Sequence, residues 1–200
     1  ARGISANDPE VFGGGLDYFG MGSRQSPKTA NWLAKYGDHA NLQAIVRRVS
    51  SDTAMVKWNV FNEIPGGPNG GKLQRNFGHR LEQLWNRPNP HMVGYQFRYT
   101  NQVYLETDGE AFVVLERPPG QLEPVAMYPV PSTWIGHRPC VERPYWEVFI
   151  GSRTLHLPAG EVVWLHDPDP LNPYGRGLGT ARSLDDEVQQ DEWMAKFNNQ

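Results

Sequence analysis

Apolar positions in this chain change their spacing from segment to segment, and each change marks a new element. Leu42, Ile45, Val46 and Val49 fall on one face at helical spacing, with Asp38 as an N-cap, which predicts a helix over 38–53. MVKWNVF at 55–61 then alternates, Met55, Lys57 and Asn59 against Val56, Trp58 and Val60, as a strand does. PGGPNGGK at 65–72 has too many glycines and prolines for regular structure and is a surface loop. Phe77, Leu81, Leu84 and Trp85 mark a second helix, which RPNP at 87–90 must stop because proline cannot continue the backbone ladder.

A third helix is predicted over 94–107, carrying Tyr95, Phe97, Tyr99, Val103, Tyr104 and Leu105 and ending near Gly109. AFVVLER at 111–117 and LEPVAMYPV at 122–130, separated by PPGQ, predict a hairpin whose second strand its proline confines to an edge or a bulge. YWEVFI at 145–150 and RTLHL at 153–157 predict a hairpin turned at Gly151 and Ser152, and EVVWLHD at 161–167 a further strand. After the loop PDPLNPYGRGLG at 168–179, Thr180 is placed as the cap of a last helix through Ala181, Leu184 and Val188. The expected class is α+β, mixed helices and antiparallel strands. Residues 1–37, with the Gly-, Ser- and Asn-rich stretch up to residue 31, are expected as a flexible N-terminal arm, and residues 38–200 as a domain continuing past residue 200.

Composition narrows the function. A formal net charge of −3 argues against a chain whose main task is gripping phosphates, since tight nonspecific DNA binding comes from clustered Lys and Arg. Arg47, Arg48 and Arg98 are therefore assigned to solvated or subunit-facing surfaces. The single cysteine, Cys140, cannot close an internal disulfide, so a reducing setting is the default. No apolar run is long enough to span a bilayer, and no membrane partner is expected.

Candidate chemistry is thin. The loop at 65–72 departs from the nucleotide-binding pattern because Leu73 stands where Ser or Thr is required after Lys72. His166, Asp167 and Asp169 in HDPDP resemble a metal-binding edge, but a proline-bound loop of three close ligands reads better as a polar strand exit. Ser152 lacks the second glycine of a nucleophile elbow. Glu161 with His166 is not taken as an acid–base pair, and Asp185, Asp186 and Glu187 complement a helix N-terminus. His39, His79, His91, His137 and His156 share no spacing. Gly175, Gly177 and Gly179 in YGRGLG are taken as turn residues permitting close packing. Trp58, Trp85, Trp134, Trp146, Trp164 and Trp193 are taken as core and subunit-interface anchors rather than base-stacking platforms. No catalytic, cofactor or metal residues are assigned.

Three collinear blocks carry a family resemblance: HRLEQLWNRPNPHMVGYQF at 79–97, TDGEAFVVLERPPGQLEPVAMYPVPSTW at 107–134, and EVVWLHDPDPLNPYGRGLGTARSLDDEV at 161–188. In this order they resemble the portal proteins of long-tailed bacteriophages. Asn86–Pro90 match the family's proline–Asn–proline corner, Gly109–Val114 its turn and small apolar strand, and His166 with Gly177–Thr180 its strand exit and helix start. Thr180 and Ala181 depart from the usual Ser-Pro there. The resemblance implies a non-enzymatic portal wing-like domain, with stem, clip and crown beyond residue 200. It also implies a homo-oligomeric ring of twelve copies at the unique capsid vertex of the virion, assembled in the host cytoplasm. Its partners would be capsid protein, terminase, a head–tail adaptor and double-stranded DNA passing with weak contact. The alternatives weighed are a phage-encoded metal-dependent hydrolase or nuclease centred on His166 to Asp169, and a monomeric tail adaptor.

Overall fold

The computed structural model describes residues 32–65 and 71–198. The expected arm at 1–31 and most of the glycine loop lie outside the described residues. Helix α1 (Trp32–Asp38) lies on α2 (Ala40–Met55), and the reason is Trp32, a bulky apolar residue only 4% exposed among Leu42, Val46 and Val103. Residues 32–37, assigned to the arm from sequence, therefore belong to the folded body. Asp38 ends α1 instead of capping α2, and His39 occupies the N-cap.

Helix α2 runs to Met55 because its inward positions, Leu42, Val46, Ser50 and Ala54, recur every four residues and continue the buried stripe past the predicted stop. The strand predicted over 55–61 is absent: 56–60 is irregular, and strand β1 (Phe61–Ile64) follows, paired antiparallel with β2 (Lys72–Arg75) around the glycine loop. Trp58 leaves the chain line to meet Trp85 at 5.3 Å between ring centroids. Helix α3 (Arg80–Asn86) begins after Phe77, which stands exposed under Arg75, and the His79 Nδ1 accepts the Leu81 N–H to cap it.

The Pro88–Asn89–Pro90 corner is fastened on all sides. Buried Asn89 donates to the Met127 carbonyl at 2.8 Å and accepts from His91 N–H at 2.9 Å, while Met127 N–H donates to Pro88 O at 2.8 Å. Helix α4 (Gly94–Asp108) follows as predicted and ends on Gly109, whose φ of 74° is the left-handed conformation a glycine C-cap supplies without strain. Half-buried Arg98 of α4 donates to Ala54 O at 2.9 Å, so it clamps α2 to α4, in contrast to its predicted surface role; Arg47 and Arg48 are exposed.

Strand β3 (Glu110–Glu116) is the centre of a three-stranded antiparallel sheet, between β4 (Ala126–Val130) and β8 (Val162–His166). It is covered on both faces, which is why it reads as the unbroken apolar run AFVVL. Val113 and Leu115 face Leu84, Phe97 and Met127, while Phe112 and Val114 face Val130, Trp146, Val148 and Val162. Pro129 falls on edge strand β4, as its missing N–H requires. The second sheet, β5 (Ile135–His137), β6 (Tyr145–Ile150) and β7 (Arg153–Pro158), packs across Phe112, with β6 and β7 joined at Gly151 as expected. The order is thus helices, sheet, sheet. The expected α+β class stands.

The chain then returns to the helical layer. Thr180 opens a 3-10 turn (Thr180–Leu184) instead of capping a helix, and α5 (Asp185–Asn198) starts only at Asp185. Ala181 and Val188 complete the core around Trp32.

Candidate functional site

The densest polar arrangement lies where α4, β3 and the YGRGLG loop cross. Asp167 N–H donates to Gly109 O at 2.8 Å, and Leu178 N–H donates to Asp167 O at 3.0 Å, so the loop is laced directly onto the α4–β3 turn. Contact is so close that a Cβ on Gly177 would overlap the Gly109 carbonyl, and one on Gly179 would overlap the Thr107 carbonyl. Gly175 differs: a Cβ there would meet only the side chain of Asn172. Two of the three predicted close-packing glycines thus do that work against backbone.

Glu110 sits in this junction with its side chain 2% exposed, held by Arg176, whose Nε donates to Oε1 at 2.6 Å and whose terminal NH2 nitrogen bonds the same oxygen. Arg138 stacks over the Trp164 ring at 4.9 Å and donates to Gly175 O at 3.4 Å. Burial holds its pKa down, and the charge of Glu110 opposes that shift. Two residues before Glu110, Asp108 accepts from Ser132 Oγ at 2.6 Å. Burial raises its carboxyl above the ordinary 3.8, against the pull of the Ser132 bond. A backbone hydrogen bond from Leu33 ties the same carboxylate to the first turn of α1. Two acids and two arginines therefore bind three layers at one point. None of the four was singled out from sequence, because a lone Glu in DGEAF and a lone Arg in YGRGLG carry no spacing signal.

The sequence-stated candidates are held apart. His166 stacks on Trp164 at 4.3 Å, Asp169 accepts Leu171 N–H in its own turn, and Asp167 contributes its backbone. Glu161 pairs with Arg117 at 2.9 Å, not with His166. Among the described residues no three His, Cys, Asp or Glu side chains come together to hold a metal ion. His79 caps α3, His156 meets Glu147 at 3.6 Å, and His137 lies 4.0 Å from Cys140 Sγ. Ser152 sits in the β6–β7 turn. Asp185 pairs with Lys35 at 3.3 Å, and its pKa is lowered by hydrogen bonds from Gln189 and then Lys35.

The tryptophans divide. Trp146 is buried and Trp164 and Trp85 half-buried, whereas Trp58, Trp134 and Trp193 are exposed. Exposed apolar side chains include Trp58, Phe61, Ile64, Leu73, Phe77 and Leu81 in and beside the β1–β2 hairpin, Leu122 and Leu171 in loops, and Trp193, Met194 and Phe197 on α5. No helix among the described residues is long and apolar enough to cross a membrane.

Residues 40–200 match the model of the family described as phage portal protein. Among solved structures, the fold is similar to a chain of the neck of an empty gene transfer agent particle computed with C6 symmetry (TM-score 0.67, 14% identity, 90% of this chain and 48% of that one). It is also similar to a chain of the native gene transfer agent virion (TM-score 0.65, 11% identity, 92% and 50%). A chain of the native neck computed with C12 symmetry gives a TM-score of 0.63 at 12% identity, covering 86% and 46%. This chain spans about half the length of those chains. No curated protein sequence matches it.

Proposed function

The chain belongs to the phage portal protein family, and from that premise we propose that it is part of a structural subunit of the portal ring, the head–tail connection at one vertex of the virion. DNA passes through such a ring during packaging and ejection. The observation that carries this reading is the family match over residues 40–200, borne on a fold like that of chains in gene transfer agent necks. In this reading the subunits are identical and close into a ring of twelve. Residues 32–200 are its wing-like α+β domain, with 1–31 as an N-terminal arm. Capsid protein, terminase and a head–tail adaptor are its partners, and assembly takes place in the host cytoplasm.

No catalysis is assigned. His166, Asp167 and Asp169 are engaged in stacking, backbone lacing and a turn, so no observation favours the hydrolase or nuclease reading. The test is the mass of the full-length protein by light scattering, with its symmetry from electron-microscope class averages. A closed ring of about twelve copies is expected. A strictly monomeric full-length protein, or normal DNA packaging in its absence, sinks the proposal.

A further inference from the structure

The junction of α4, β3 and the YGRGLG loop sets two guanidinium groups around one buried carboxylate and uses only one of them. Arg176 places both its Nε and its terminal NH2 nitrogen on Oε1 of Glu110. Oε2 of the same carboxylate has no hydrogen-bond partner among the described residues. A guanidinium fork can span both oxygens of a carboxylate. Here the second oxygen stays open on a side chain only 2% exposed, where an unmade bond carries the full desolvation penalty.

The second guanidinium stands within reach. Glu110 and Phe112 alternate onto one face of β3, and on β8 they are opposite His166 and Trp164. Trp164 is thus the diagonal neighbour of Glu110, a separation that long side chains bridge, and Arg138 lies over the Trp164 ring. Its NH1 also donates to Gly175 O, one residue before Arg176. Beyond these contacts Arg138 makes no ion pair among the described residues. The charge of Glu110 acts favourably on Arg138, and the like charge of Arg176 opposes it, so the two arginines compete for one site. Arg176 is the one able to leave, with its side chain 48% exposed, whereas Arg138 is half-buried.

We propose that Glu110 is a two-position latch, in which Arg176 is the resident partner and Arg138 takes the carboxylate when Arg176 swings out. Departure of Arg176 frees Oε1 and removes the opposing charge, so the attraction of the carboxylate falls on the remaining guanidinium. Arg138 keeps its bond to Gly175 O while it does so, because a guanidinium has five N–H donors. The buried charge is therefore paired in both positions, which a single arginine could not provide. The backbone lacing through Asp167 and Leu178 involves neither arginine, so the loop stays seated while the side chains exchange.

The test uses the full-length protein. A structure of the Arg176→Met variant at side-chain resolution should show an Arg138 nitrogen within hydrogen-bond distance of a Glu110 oxygen. Arg138 unmoved over Trp164, with Glu110 left unpaired, overturns the latch. Unfolding equilibria supply a second arm: Arg176→Met should raise the unfolding constant roughly ten times more in an Arg138→Met background than in the wild type, because only there is the carboxylate stranded. That excess should vanish when Glu110→Gln is added to every member of the series. Independent effects of the two arginines, or an excess that survives Glu110→Gln, also overturn it. Should the doubly substituted chain not fold, the structure of Arg176→Met alone decides.

Discussion

At the scale of single residues, the α4–β3 junction concentrates the strongest consequences. Gly177 and Gly175 are two apart in one loop, yet only Gly177 presses on backbone. Gly177→Ala is expected to cost about 3 kcal/mol, since the Gly109 carbonyl cannot withdraw without unlacing the turn. Gly175→Ala should cost under about 1 kcal/mol, since the Asn172 side chain can rotate away. Urea unfolding of the two variants decides it, and equal losses would refute the distinction. Arg176→Met leaves Glu110 buried without its partner. Removing one member of a buried pair costs about 3–5 kcal/mol. Arg176 is 48% exposed, and Arg138 stands nearby, so a loss of about 2 kcal/mol is expected, largely recovered by adding Glu110→Gln.

Asp108 yields a prediction in pH. Burial raises its folded-state pKa above the 3.8 of the ordinary group, so the folded protein holds this proton more tightly than the unfolded chain does. Its contribution to stability is therefore most favourable below that range and is lost as pH rises through the folded pKa. Asp108→Asn keeps one acceptor oxygen for the Leu33 N–H, lets its amide NH2 donate to the Ser132 hydroxyl, and removes the ionisation. The variant should melt higher than wild type at pH 7, the gap closing as pH falls toward 4. A gap independent of pH between 4 and 7 would show that this carboxylate carries no penalty.

At the scale of elements, legibility followed whether the information was local. The α4 stop at Gly109, the edge placement of Pro129 and the Gly151 turn were readable because one residue's backbone chemistry decides each. The strand predicted at 55–61 failed because alternation there is confined to a few residues, and the four-residue recurrence through Ala54 carried the helix past it. The hairpin at 61–75 was hidden by its mixed polarity, since a strand buried on neither face has no period to show. Trp32 was missed inside the presumed arm, where a single aromatic gives no rhythm. The Asn89 corner was legible as a stop but not as a clasp, since Met127 lies 38 residues away. Asn89→Ala should leave the buried Met127 carbonyl without its side-chain donor and cost about 1–3 kcal/mol in a thermal unfolding series. A neutral result would mean that the corner is held by its prolines alone.

At the scale of the molecule, the disposition of the arginines bears on passage of DNA. Affinity for duplex rises with each phosphate neutralised by a cation free to release its counterions. Here the net charge is −3, and several arginines already hold groups of the fold: Arg98 holds Ala54, Arg117 holds Leu122, Gly160 and Glu161, Arg138 holds Gly175, and Arg176 holds Glu110. A guanidinium holding a carbonyl or carboxylate within the fold is not available to a phosphate at the surface. Random duplex DNA titrated into the protein at physiological salt should therefore show no saturation up to about 100 µM, the weak end of ordinary nonspecific binding. Lowering the salt should raise the affinity only slightly, since few counterions are exchanged. A saturating isotherm at micromolar DNA with a steep salt dependence would reveal a basic track, and the weak contact proposed for a conduit would have to be abandoned.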